Sequence, residues 1–268
     1  MTRHHASPEQ NAQNRSARAT KSRLHNSFLL SFVCTALFFC FDSEARAQYD
    51  DSGLWLAGSA TGKLPPKLND AKGSWRLWTD AQLRFGDDLS RFSQGLVRPG
   101  VGYALNNAWS VWAGYAYIRT DQPYARTPTN EQRIWEQVTW QRVVGRTDLS
   151  SRTRLEQRFN SGGSDTGWRF REMGKLMHPL GGPDSIWLIA MYDEIFVNLN
   201  SANFGPKSGA DRNRAFAGPG IQLGKPLRIE LGYLNQYTFN NNGPDRVDNI
   251  LSINAFWNFS HKEAPPEE

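Results

Sequence analysis

The segment Leu227–Phe259 reads LRIELGYLNQYTFNNNGPDRVDNILSINAFWNF and has the clearest secondary-structure pattern of the chain. It contains two runs that alternate between apolar and polar residues, and the turn-forming residues Asn240–Pro244 separate them. The apolar positions are Leu227, Ile229, Leu231, Tyr233, Tyr237 and Phe239 in the first run, and Leu251, Ile253, Ala255, Trp257 and Phe259 in the second. Alternation with a period of two predicts two β-strands, each with one face against an apolar environment and the other against a polar one.

Similar runs recur along the chain, separated by Gly, Pro, Asn and Asp. They are Gly53–Leu64, Ser74–Phe85, Gln94–Leu105, Trp109–Arg119, Arg133–Val144, Leu149–Phe159, Thr166–Met177, Ile186–Leu199 and Arg212–Leu223. With the closing pair, the series predicts an all-β protein, an antiparallel up-and-down transmembrane β-barrel of ten to twelve strands. Single-chain bacterial barrels have an even number of strands. We therefore expect ten, with Gly53–Leu64 not spanning, or twelve, with one further strand.

The connections between these strands fall into two sets that alternate along the chain. The shorter set is Asn106-Asn107, Gly145–Asp148, Pro179–Asp184 and Lys225-Pro226, and the longer set is Asp121–Asn130, Asn200–Asp211 and Asn240–Arg246. Membrane barrels have short periplasmic turns and longer external loops. The alternation therefore favours a membrane barrel.

The N-terminal region has the organisation of a secretory signal peptide. Four basic residues between Arg15 and Arg23 precede the apolar run Phe28–Phe41, and the small-x-small sequence Ala45-Arg46-Ala47 follows. A membrane anchor is the alternative, but this run is shorter than the roughly 20 residues that a membrane helix needs. We predict a signal peptide over residues 1–47, a barrel over residues 48–259 and a polar C-terminal tail over residues 260–268.

The remaining 221 residues have a composition that excludes several classes of protein. Both cysteines, Cys34 and Cys40, lie in the predicted leader, so the mature chain has no disulfide. Residues 48–268 carry 25 Lys and Arg against 23 Asp and Glu, so the high isoelectric point of the whole sequence gives no reason to expect a nucleic-acid partner. The combination of low mean hydropathy with ten Trp suits a barrel whose lumen residues dilute the apolar signal of each strand.

Charged residues recur on the face of the strands that alternation assigns to the barrel interior. The predicted lumen charge network comprises Arg152, Arg154, Glu156, Arg158, Arg169, Arg171, Glu194, Arg212, Arg214, Arg228, Glu230 and Asp248. One interpretation is an interior filled by Arg–carboxylate pairs, in which Glu156 and Glu230 are the scarce partners. The other is a narrow anion-preferring pore, because arginines outnumber carboxylates in this set. We favour the filled interior, since a narrow barrel has little space left.

Signals for catalysis and for metal binding are weak. Only His178 and His261 remain after the leader, and neither is predicted on a strand face beside an inward serine. Asp87-Asp88 reads as a turn, and the adjacent Asp193 and Glu194 point to opposite faces of a strand. We therefore predict no catalytic residues, no metal site and no cofactor. Two alternative functions stay open, an outer-membrane enzyme that modifies lipid and a secreted or periplasmic β-sandwich that binds a ligand.

The last strand is predicted to face lipid. Its outward residues are Leu251, Ile253, Ala255, Trp257 and Phe259. Phe259 ends the last strand, where many outer-membrane barrels place a terminal aromatic residue that assembly recognises, and this chain departs from that pattern by the polar tail Ser260–Glu268. The expected partners are therefore outer-membrane lipid and, during biogenesis, the barrel-assembly machinery and periplasmic chaperones. The sequence does not determine an oligomeric state.

Four short segments together resemble a known family. They are Arg154–Arg158 (RLEQR), Asp193–Phe196 (DEIF), Asn213-Arg214 and Gly232–Tyr237 (GYLNQY). In their order and spacing the chain resembles, over roughly Gly53–Phe259, the bacterial "domain of unknown function 2490" family, whose members are predicted outer-membrane β-barrels. The resemblance implies a barrel fold and an outer-membrane location, and it supplies no catalytic residues.

We predict that the exported protein begins at Gln48, because the cleavage sequence Ala45-Arg46-Ala47 ends there. Mass spectrometry of the N-terminal peptide from membrane-derived protein checks the prediction. A chain that starts at Met1, or one that carries a lipid on Cys40, would contradict it.

Overall fold

The computed structural model describes residues 48–64, 74–182, 184–240 and 243–259. These residues form eleven strands: β1 (Gln48–Lys63), β2 (Ser74–Gly86), β3 (Arg91–Ala104), β4 (Trp109–Thr120), β5 (Thr129–Val144), β6 (Thr147–Asn160), β7 (Thr166–Pro179), β8 (Trp187–Asn198), β9 (Gly209–Leu223), β10 (Leu227–Thr238) and β11 (Asp245–Phe259). No helix in these ranges is long and apolar enough to cross a membrane. The predicted leader and the C-terminal tail lie outside the described residues.

The eleven strands form one closed barrel, which confirms the predicted fold class. Each strand pairs antiparallel with the next, and β1 pairs with β11 in parallel, with Leu54 opposite Leu251. The expectation of an even strand number is wrong, and so is the expectation of antiparallel pairing throughout. When an odd number of strands alternate in direction, the first and the last run the same way and can pair only in parallel. A single closed sheet also excludes the sandwich architecture.

Alternation along each strand separates an inner from an outer face. On β10, Leu231 and Tyr233 are exposed on the outside, whereas Glu230 and Leu234 are buried inside. On β11, Leu251, Ile253 and Trp257 are exposed on the outer face, and Ala255 and Phe259 are half-buried on the same face. The period-two pattern of the sequence therefore corresponds to the two sides of the barrel wall.

Apolar side chains occupy part of the interior in two clusters. One contains Trp55, Ala190, Phe216, Leu234 and Ile250, and the other contains Leu96, Ala116, Ile118 and Trp135. The indole of Trp135 is fully buried, and its Nε1 donates to the Tyr115 carbonyl oxygen at 3.1 Å. It lies against Gly100 and Gly114, where a Cβ atom would overlap the ring. Glycine at these two positions is therefore a packing requirement.

The two predicted sets of connections lie at opposite ends of the barrel. We call the end formed by residues 87–90, 121–128, 161–165, 199–208 and 239–244 the loop mouth, where residues 241–242 lie outside the description. We call the end formed by residues 105–108, 145–146, 180–186 and 224–226 the turn mouth, where residue 183 is not described. The longer predicted set is at the loop mouth and the shorter set at the turn mouth.

Large apolar side chains are exposed around the outer wall. They include Leu77, Leu83, Val97, Val101, Val111, Tyr115, Ile134, Val138, Met191, Ile195, Leu231, Tyr233, Leu251 and Ile253. Two outward carboxylates interrupt this surface on β7 and β8. Glu172 accepts hydrogen bonds from Ser151 and Thr153, at 2.8 and 2.5 Å, and Asp193 accepts them from Asn213 at 3.0 and 3.1 Å. Neighbouring strands thus supply hydrogen-bond donors to both carboxylates.

The parallel closure predicts a specific cross-link. In the chain that begins at Gln48, which contains no cysteine, Leu54→Cys with Leu251→Cys should form a disulfide on mild oxidation, because the two Cα atoms are register partners. Leu54→Cys with Ala255→Cys is the control, since four residues of offset separate that pair by about 13 Å. Loss of free thiol, measured by mass spectrometry, reports the bond. Cross-linking in the control pair alone would show that the closing register is different.

Candidate functional site

The twelve residues of the predicted lumen charge network all lie on the inner face of the barrel. Nine of them are buried, and Arg152, Arg212 and Arg228 are half-buried. They lie on strands β6 to β11, so their side chains meet across neighbouring strands. The barrel interior is therefore the candidate functional site.

Glu156 is the centre of the largest group of contacts. Its side chain is 0% exposed and accepts hydrogen bonds from Arg171 at 2.5 Å, from Arg169 at 2.6 Å and from Arg133 at 3.3 Å. Arg154 Nη1 lies 3.8 Å from Glu156 Oε1. One carboxylate thus serves four guanidinium groups on β5, β6 and β7. Charge-assisted hydrogen bonds of this kind are stronger than neutral ones.

Glu194 extends this network to β8 and β9. Arg171 donates to Glu194 Oε1 from Nη2 at 2.6 Å and from Nε at 3.0 Å, and Arg152 donates to the same atom at 2.7 Å. Arg214 Nη1 is 3.9 Å from the other oxygen, which is within ion-pair range. Because Arg171 also binds Glu156, the two buried carboxylates belong to one continuous network across the interior.

Glu230 and Asp248 each form ion pairs of their own with other basic residues. Lys175 Nζ donates to both oxygens of Glu230, at 2.7 and 2.8 Å, and Arg228 donates to Oε1 at 2.9 Å. Towards the loop mouth, Arg246 donates to Asp248 at 2.7 Å and to Asp51 of β1 at the same distance. The ion pair between Arg246 and Asp51 joins β11 to β1, the two strands that close the barrel.

Sequence reasoning missed several carboxylates of the interior. Asp80 accepts two hydrogen bonds from Arg98, at 2.8 and 2.6 Å, and Glu131 accepts two from Arg158, at 2.7 and 3.0 Å. Asp211 accepts from Arg212 at 2.8 Å. The expectation that Glu156 and Glu230 are the scarce partners is therefore wrong, because Asp80, Glu131 and Asp211 also pair with arginines of the interior.

The reasons for these omissions differ. Asp80 shares the inner face of β2 with Trp78 and Arg84, so the alternation of β2 is the signal that identifies it as an interior residue. Glu131 precedes the predicted strand, which starts at Arg133, whereas β5 begins at Thr129. Asp211 lies in a predicted loop, but β9 begins at Gly209. Both residues therefore lie on strand ends that the predicted boundaries exclude.

Described residues line two cavities in the interior, one towards each mouth. The cavity towards the loop mouth has a volume of about 700 Å³, and the cavity towards the turn mouth has about 660 Å³. Five side chains line both cavities and so lie between them: Trp55, Arg84, Arg98, Arg171 and Arg214. We call these five residues the waist. Four of the five are arginines, and two of these, Arg98 and Arg171, are paired with carboxylates.

The connections of the loop mouth fold over the first cavity. Tyr124 and Phe204, from residues 121–128 and 199–208, line it. The Tyr124 hydroxyl accepts a hydrogen bond from Trp55 Nε1 at 3.3 Å, and burial raises the pKa of this phenol. The guanidinium of Arg158 lies 5.6 Å from the Phe204 ring. Both loops thus contact residues of the interior.

The described residues bring no catalytic arrangement together around histidine. His178 is half-buried, and its Nδ1 lies 2.9 Å from the hydroxyl oxygen of Thr147. His261 lies outside the described residues. No group of three or more His, Cys, Asp or Glu side chains in the described ranges is arranged to hold a metal ion.

Comparisons with known proteins identify the family. The sequence profile of the family described as "Protein of unknown function (DUF2490)" matches residues 52–248. The chain belongs to this family. An uncharacterised protein of Methylorubrum extorquens is 32% identical over 240 residues, which cover 87% of this chain and 97% of that protein. The family predicted from the four short segments is therefore confirmed, and its description names no activity.

Among solved structures, the anion-selective porin from Comamonas acidovorans is similar at 11% identity and a TM-score of 0.33. The match covers 68% of this DUF2490 chain and 56% of the porin, so it spans just over half of the porin's length. A likeness this distant carries no argument about conduction or selectivity.

The network predicts a large effect for Glu156→Gln. The substitution removes the negative charge between four arginines, three of them buried, and breaking a buried ion pair costs roughly 3–5 kcal/mol of unfolding free energy. Glu136→Gln, on the outer face of β5, is the matched control and should change the unfolding free energy by less than about 0.5 kcal/mol. Urea unfolding in detergent micelles, followed by tryptophan fluorescence, measures both. Equal effects of the two substitutions would mean that the interior charges are screened by water.

Proposed function

We propose that this DUF2490 protein is an integral outer-membrane β-barrel, exported through a cleaved signal peptide, whose interior is filled by a charge network. The observation that carries the proposal is the exposure of large apolar side chains around the outside of a closed barrel. Soluble monomers rarely expose continuous apolar patches of more than a few hundred Å². A lipid environment removes this difficulty, because it solvates such a surface.

Two further features support a membrane location. Closure pairs the edges of the first and last strands, as a strand structure in lipid requires. Exposed tryptophans also gather on the outer wall near the turn mouth: Trp75, Trp109, Trp187 and Trp257. Aromatic girdles of this kind mark the membrane–water interfaces of barrels.

The ion pairs support a filled interior. Glu156 and Glu194 are buried among arginines that cross from β5 to β9, and the waist separates the two cavities. Bidentate pairs such as Arg98 with Asp80 fix side chains in place, which a wide water-filled channel does not need. On this proposal the barrel does not provide a wide route for solutes.

A narrow anion-preferring pore is the second candidate. The observation that favours it is the concentration of arginines at the waist, where Arg84, Arg171 and Arg214 face both cavities. Rings of Arg and Lys select anions in pores. The two candidates share a membrane location and differ in whether ions pass the waist.

The outward aromatic residues of β11 are the proposed signal for assembly. Trp257 is 54% exposed, and its ring lies 5.8 Å from that of Phe259 on the same face. We expect outer-membrane lipid to surround this face after assembly. The barrel-assembly machinery and periplasmic chaperones are the proposed partners before it.

Fractionation of cells that express the protein tests the location. We expect the protein in the outer-membrane pellet after extraction with carbonate or urea, and we expect faster gel migration before heating than after it. Recovery in the soluble periplasmic fraction would contradict the proposal. Purified protein in a planar bilayer then separates the two candidates, since a filled barrel gives no steady current and a narrow pore gives an anion-selective one.

A further inference from the structure

Two arginines of the waist, Arg84 and Arg214, donate no hydrogen bond to a carboxylate among the described residues. Arg84 is 6% exposed, and its two Nη atoms donate to the amide oxygens of Gln94 and Gln82 at 2.7 and 2.6 Å. Its Nε atom is buried without a hydrogen-bond partner. In the described part of the chain, no carboxylate lies within 4.0 Å of this guanidinium. A buried cation is thus held only by neutral groups.

Arg214 is nearly in the same position. Its Nε donates to the amide oxygen of Gln236 at 2.8 Å, and Gln236 in turn donates to Asp248. Glu194 Oε2 is 3.9 Å away, and the single negative charge of this carboxylate is shared with Arg152 and Arg171, which bind its Oε1. The charge of Arg214 is therefore only partly compensated.

The two guanidinium groups lie close to the same indole. Their central carbon atoms are 3.8 Å (Arg84) and 4.9 Å (Arg214) from the Trp55 ring centroid. Contact with the aromatic ring offsets part of the desolvation of each cation. It does not offset their mutual repulsion, because the indole carries no net charge. An anion in the cavities that both arginines line would do so.

We infer that Arg84 and Arg214, beside Trp55, form a binding site for an oxyanion, that is, a phosphate or carboxylate group. Guanidinium groups match the oxygens of both anions in a fork geometry. The cavity towards the loop mouth, of about 700 Å³, can hold the body of an organic solute that carries such a group. The inference rests on the filled interior of the proposed function, since free water at the waist would screen the two charges.

Calorimetric titration with inorganic phosphate tests the site. The chain from Gln48 is refolded in detergent and titrated at constant ionic strength, with sodium chloride as the reference salt. We expect saturable binding of phosphate, weakened at least tenfold by Arg84→Gln or Arg214→Gln. Arg84→Lys keeps the charge without the fork and should have an intermediate effect.

Arg76→Gln is the matched control. Arg76 lies on the same inner face of β2 as Arg84 and also has an unpartnered Nε, but it lines neither cavity. If phosphate is attracted only by the overall positive charge of the lumen and not by a specific site, Arg76→Gln and Arg84→Gln will weaken its binding equally. That result, or an absence of saturable binding, overturns the inference.

A stability measurement separates a binding role from a structural one. In phosphate-free buffer, Arg84→Gln should not lower the unfolding midpoint, because it removes an incompletely compensated buried cation. Phosphate should raise the midpoint of the unsubstituted protein and not that of the variant. A loss in phosphate-free buffer as large as that of Glu156→Gln would make Arg84 a structural residue. These measurements use purified protein in detergent. Their outcomes are therefore independent of the fractionation experiment, which tests the proposed location in the cell.

Discussion

The parallel pairing of β1 with β11 closes the barrel and thereby creates its interior. It converts an open sheet into a closed one, so one face of every strand becomes the barrel interior. Charged side chains on that face lose most of their water, and a buried charge without a partner is costly. The ion pairs of the interior follow from this closure. The bond from Arg246 to Asp51 lies at the closing pair itself.

The interior is organised around shared carboxylates. Glu156 contacts arginines on β5, β6 and β7, and Glu194 contacts arginines on β6, β7 and β9. Arg171 connects the two carboxylates, so the loss of either charge affects side chains on at least three strands. Arginines nevertheless outnumber carboxylates, and part of the excess lies at the waist, where the hydrogen-bond acceptors of Arg84 are amide oxygens. The same network thus stabilises most of the lumen and leaves positive charge between its two cavities.

Much of this fold was predictable, because alternation depends only on neighbouring residues. The pattern around Arg154 and Glu156 placed both on the inner face, and the same reasoning placed Trp257 outside. The pattern does not give the strand number. The rule that this number is even comes from other barrels, and this barrel, with eleven strands, departs from it. The pattern also does not give the partners. Whether Arg171 contacts Glu194 depends on the register of β7 against β8, which a single strand does not encode.

The odd number of strands places the first and last residues of the barrel far apart. β1 begins at the loop mouth with Gln48, and β11 ends at the turn mouth with Phe259. Strands of this length extend about 50 Å at 3.3 Å per residue. A circular permutant with a short linker between the two natural ends could therefore not close this barrel. For the same reason, reporter groups fused at the two ends would lie on opposite sides of whatever layer surrounds the wall.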